Sequence, residues 1–60
     1  MAYTVHWRTL PGKAIIRTEV YDDRDAALSE AEFARVAGPH PVEVSVTDDD
    51  GQQLYVGVFG

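Results

Sequence analysis

Three consecutive carboxylates, Asp48, Asp49 and Asp50, precede Gly51 in the stretch VTDDDGQQLYV. Acidic oxygens next to a glycine are the raw material of a calcium loop, since hard cations take carboxylate and carbonyl ligands from a sharply turned backbone. Position argues against that chemistry. An EF-hand loop with its invariant glycine at Gly51 would begin at Val46 and end at Gly57, two places that need carboxylates. The acids are therefore read as the solvated tip of a hairpin, and no metal ligand is assigned.

The other groups able to do chemistry are scattered. His6 belongs to an alternating stretch and His40 is held between Pro39 and Pro41, so nothing in the spacing brings the two imidazoles together. There is no cysteine to serve as nucleophile or thiolate ligand. The glycines of PGK and GPHP are turn residues rather than a phosphate cradle, and no histidine pair has the helical spacing of a zinc site. A chain of 60 residues also offers little concavity for a substrate. The expectation is a non-catalytic protein with no cofactor. What remains is recognition, and its geometry depends on the strands that carry the arginines and the large apolar residues.

The stretches YTVHWRTL and AIIRTEVY alternate with the period of a strand, and the Pro11-Gly12 pair between them suits a tight turn. With those two residues as the loop, Trp7 faces Ile16, Val5 faces Thr18 and Tyr3 faces Val20. One face then holds Tyr3, Val5, Trp7, Ala14, Ile16 and Val20, with Trp7 as the natural centre of a small core. The other holds Thr4, His6, Arg8, Ile15, Arg17, Glu19 and Tyr21. The segment DDRDAALSEAEFARVAGP predicts a helix of about fourteen residues, with Asp22 or Asp23 as N-cap, acids near the positive end of its dipole and Gly38-Pro39 as its stop. Its apolar arc runs from Phe33 through Ala26, Ala37, Ala34 and Ala27 to Ala31. Glu30 interrupts the arc and Leu28 and Val36 fall outside it, a pattern that fits an alanine face lying close to a sheet.

VEVSV and LYVGVF supply two further strands. A three-residue loop, Asp49-Asp50-Gly51, pairs Asp48 with Gln52, Val46 with Leu54, Val44 with Val56 and Val42 with Val58. It also places Gly51 where a left-handed conformation is required.

The order is thus ββαββ, an α+β fold forming a single domain over residues 1–60. It predicts a four-stranded, mainly antiparallel sheet with one helix on one face, strand order 2-1-3-4 being preferred over 1-2-3-4. The helix-free face is expected to carry Arg8, Ile15, Arg17, Tyr21, Tyr55 and Phe59, more large side chains than a solvent face needs, and such a patch marks association. The preferred reading is a protein-interaction module, a homodimer or a binder of another protein, using this face or an unpaired edge strand. Added burial would offset the small core that so short a chain can build. The alternative is a single-stranded nucleic-acid-binding domain in which the rings stack bases. The net charge of −5 opposes a phosphate backbone, and Glu19 and Glu43 share the surface. No basic leader precedes an apolar run and no apolar stretch reaches membrane-spanning length, so a cytoplasmic location is expected. Four arginines against one lysine, with no asparagine, suggest a high-GC bacterial source.

Overall fold

The computed structural model describes residues 1–36 and 40–60 and contains five elements: β1 (Tyr3–Thr9), β2 (Ile15–Tyr21), α1 (Arg24–Phe33), β3 (Val42–Thr47) and β4 (Gln53–Phe59). The strands form one sheet in the order β2-β1-β3-β4 with every neighbouring pair antiparallel, as the sequence predicts. The connection through α1 returns the chain beside β1, so β1 and β3 are the central pair and β2 and β4 are edges. α1 touches all four strands from one side.

Asp23 caps α1. Its backbone is extended and its side chain accepts a hydrogen bond from the Ala26 N–H at 3.2 Å, satisfying one of the donors that a helix start leaves free. The regular helix is shorter than predicted, ten residues, because its end tightens into bonds from Ala34, Arg35 and Val36 to the carbonyls of Ala31, Glu32 and Phe33. Ala37 and the Gly38-Pro39 stop lie outside the described residues. The buried stripe is also narrower than the predicted arc. Ala27, Ala31 and Ala34 are fully enclosed against Val5, Trp7, Val42, Val44 and Val46, and Leu28 packs at their flank, whereas Phe33 is 55% exposed. Methyl groups at the contact bring the helix close to the sheet, and the tryptophan fills the centre as expected.

The hairpin between β3 and β4 turns as the sequence indicates. The N–H of Asp48 donates to the carbonyl of Gln52, that of Gly51 donates to the carbonyl of Asp48, and Gly51 has a φ of 80°. The first turn is wider than predicted, running from Leu10 to Lys13 with Lys13 itself at a φ of 58°. It still closes on the Thr9–Ala14 pair. Just past each turn the outer strand takes in one extra residue, Ile16 in β2 and Leu54 in β4. Trp7 therefore faces Arg17 rather than Ile16, and Val46 faces Tyr55 rather than Leu54.

A single extra residue reverses the faces of everything beyond it. Four of the six residues expected on the helix-free face, Arg17, Tyr21, Tyr55 and Phe59, consequently lie on the helix side; Arg8 and Ile15 keep the expected face. In exchange Ile16, Val20, Val56 and Val58, expected in the core, turn away from α1 and are 46–64% exposed. The physical reason is reach. A helix whose inner face is alanine covers the two central strands and leaves a gap above each edge. Valine is too short to span that gap, while an aromatic ring buries about 150–250 Å² and can. Tyr21, Tyr55 and Phe59 all pack against the central cluster. Gly57, opposite Val44 between two of these rings, gives them room: a Cβ there would stand 2.7 Å from the Tyr55 hydroxyl and 2.9 Å from Cζ of Phe59. Among the described residues no helix is long and apolar enough to cross a membrane.

Candidate functional site

The pairing sets three rows across the helix-free face. They read Val20–Thr4–Thr47–Gln53, Thr18–His6–Ser45–Val56 and Ile15–Arg8–Glu43–Val58. The two central columns are polar and the two outer columns are largely aliphatic, with Ile16 beside Ile15 opposite Arg8. A shallow depression of about 330 Å³ runs along the polar centre, lined by His6, Arg8, Lys13, Glu43, Ser45, Thr47 and Gln53.

Charge in this depression is sparse and locally positive. Nη1 of Arg8 donates to Oγ of Ser45 at 3.0 Å and so shields that hydroxyl, leaving Ser45 only 3% exposed. Among the described residues no carboxylate pairs with Arg8. Glu43, directly opposite Arg8 on β3, meets only the Nζ of Lys13, at 3.8 Å, and Lys13 itself is mostly in solvent. His6 adds a buried Nδ1 with no hydrogen-bond partner. Of the chain's ten acids, Glu43 is the one on this face; the others belong to the helix, its approach, the β3–β4 turn and the opposite face.

On the helix side, the residues that changed faces form a clamp. The Arg17 guanidinium stacks 5.1 Å from the centre of the Trp7 ring, donates to Glu19 at 2.8 Å and stands 3.8 Å from Glu30 on α1. The Tyr21 hydroxyl donates to the other oxygen of Glu19 at 2.9 Å. The hydrogen bond from Arg17, followed by that from Tyr21, holds the Glu19 carboxyl below its ordinary range. Burial first, and then the bond to Glu19, raises the Tyr21 phenol. These groups tie an edge strand to the helix and cover the tryptophan, so they are spoken for within the fold. At the other edge Arg35 stands 5.7 Å from the Phe59 ring, and Tyr55 borders a hollow of about 300 Å³ with Asp25, Leu28, Ser29 and Glu32.

The remaining chemistry-bearing residues are dispersed. Asp48 folds back, one carboxylate oxygen accepting from the N–H groups of Asp50 and Gln52, both at 2.9 Å, while Asp49 accepts from Ala2. Among the described residues no group of three or more histidine or acidic side chains converges on a common point. Nε2 of His40 donates to the Ala34 carbonyl at the end of α1, on the far side of the sheet from His6.

Sequence reasoning missed Ile16, Val20, Val56 and Val58 as surface residues. The signal that could have found them is the adjacency of Ile15 with Ile16 and of Leu54 with Tyr55. Two large apolar residues in succession beside a turn break strict alternation at the position of each bulge. Comparison with protein-family models, curated proteins and solved structures finds no match, so the face is read from its own geometry.

Proposed function

We propose that this chain is a non-catalytic protein-interaction module that self-associates through its helix-free sheet face. One observation carries the reading. Ile15, Ile16, Val20, Val56 and Val58 stand 46–64% exposed along the two margins of a single sheet face, around a centre that holds one acid in a chain of net charge −5. Isolated exposed aliphatics need no explanation, but five on one small face form a surface that water does not favour.

Magnitudes limit the strength of the contact. Four strands about 4.8 Å apart and seven residues at about 3.3 Å each give a face of roughly 450 Å². Two such faces reach only the low end of specific interfaces, around 1,000 Å² in total. Each half-exposed aliphatic gains about 1 kcal/mol when covered, so two copies gain on the order of 10 kcal/mol. That lies within the ~4–15 kcal/mol that association costs, and a weak, concentration-dependent dimer follows unless polar groups add to it.

Stacking of nucleic-acid bases, the competing reading, loses its platform. Tyr3, Trp7, Tyr21, Tyr55 and Phe59 all lie on the helix side, and Phe33 is on α1 itself. Sedimentation equilibrium tests the proposal directly. A dimer at high micromolar concentration is expected, together with a monomer of unchanged far-ultraviolet circular dichroism for the double variant Val20→Ser, Val58→Ser. A strict monomer in the parent chain overturns it.

A further inference from the structure

Granting the self-association proposed above, the face itself specifies how the second copy must lie. We infer that two copies stack face to face about a two-fold axis running parallel to the strands, between β1 and β3, with Arg8 of each copy paired to the partner's Glu43.

The argument is geometric. Rotation about an axis parallel to the strands keeps each row at its own height and exchanges the columns, placing β1 over the partner's β3 and β2 over the partner's β4. Arg8 and Glu43 occupy the same row in adjacent central strands. The rotation therefore sets Arg8 over the partner's Glu43 and, by symmetry, Glu43 over the partner's Arg8. In the same row the isoleucines at 15 and 16 meet the partner's Val58, aliphatic on aliphatic. In the next row Thr18 meets Val56 and His6 lies over the buried Ser45, and in the third Thr4 meets Thr47 and Val20 meets Gln53. The two-fold across the strands fails by comparison: it sets Arg8 over the partner's Thr4 and Glu43 over the partner's Thr47, covering both charges with no counter-charge. Each copy already holds the two halves of this pair unmatched, since no carboxylate pairs with Arg8 among the described residues and Glu43 has only the long contact to an exposed lysine. The face bears one acid against Arg8 and Lys13, so the acids that give the chain its charge of −5 are kept out of the contact.

Charge reversal tests this arrangement separately from self-association as such. In the inferred dimer Arg8→Glu sets two carboxylates against each other at both symmetric positions, and Glu43→Arg does the same with cations. Each single variant should weaken self-association by at least about 100-fold. The double variant Arg8→Glu, Glu43→Arg should restore it. An equimolar mixture of the two single variants should form a heterodimer in which both bridges are intact, one of them with its polarity exchanged. The readout is sedimentation equilibrium, with circular dichroism establishing that each chain is folded; the mixture requires no variant to associate alone. If the parent chain is dimeric and the single reversals leave it so, this axis is wrong while the interface reading stands. If the parent chain is monomeric, both fail.

Discussion

At the scale of single residues, the arrangement on the helix side turns on what fits above the sheet margins. Gly57 lets the rings of Tyr55 and Phe59 lean over the strand between them, and Gly57→Ala should cost about 1–3 kcal/mol by forcing one ring out, read as a lower urea midpoint. Glu19 gives a pH signature. Its folded value is lowered by Arg17 and then Tyr21, so its contribution is present above the ordinary carboxylate value of 4.5 and is lost as pH falls through the lower, folded value. Thermal melts of Glu19→Gln should therefore show a flatter acid limb than the parent. Tyr21 works in the opposite direction: its raised value means a contribution present below pH 10.0 that fades as pH climbs above it, and Tyr21→Phe should remove that alkaline loss. The burial of Trp7 and the left-handed Gly51 were legible in the sequence, the first from its place in an alternating strand and the second from turn length. The clamp of Arg17, Glu19 and Tyr21 was not, because a charged residue next to a buried ring is recognisable only once the register is known.

At the scale of elements, every segment could be read from periodicity and turn residues, and crossover handedness favoured the sheet order that the fold adopts. The facing of the two edge strands could not. Alternation is preserved on both sides of a bulge, so a strand containing one looks regular in each half and carries its error silently from the bulge onward. Ile16 and Leu54 are those points. Deleting Leu54 should remove the bulge while keeping Gln53 opposite Thr47 and Tyr55 opposite Val46, so Tyr55 and Phe59 stay on the helix side and Val56 and Val58 stay outward. The expected result is a retained near-ultraviolet circular dichroism signal with no gain of hydrophobic-dye binding, and a lower urea midpoint from the lost packing of Leu54. The helix gives a sharper constraint. Ala31 is fully enclosed against the sheet, and Ala31→Leu should destabilise by about 1–3 kcal/mol through overpacking, measured by chemical denaturation. Asp23→Ala should cost about 1 kcal/mol through loss of the cap.

At the scale of the whole molecule, the core of this 60-residue chain comprises, among the described residues, four valines, three alanines and one tryptophan. Domains of this size hold only a few kcal/mol in reserve, roughly 3–9 by the usual per-residue figure. A face that covers its aliphatic margins by pairing adds to that reserve through mass action, so the melting temperature should rise with protein concentration and cease to do so in the variant Val20→Ser, Val58→Ser. The candidate surface was legible as a surface, because one helix cannot cover both sides of a four-stranded sheet. Its membership was half legible: Arg8 lies on β1, which has no extra residue, and Ile15 precedes the bulge in β2, so both kept their predicted side, whereas every residue beyond a bulge exchanged sides.

The lone indole, enclosed beneath a guanidinium with its N–H unmatched, also gives the protein a built-in optical reporter. Its emission should be blue-shifted and resistant to acrylamide in the native state. Since it looks away from the surface proposed to meet a second copy, dilution through the dimer–monomer transition should leave that signal flat, while denaturation should shift it to the red. Fluorescence alone can thus separate loss of folding from loss of partnership.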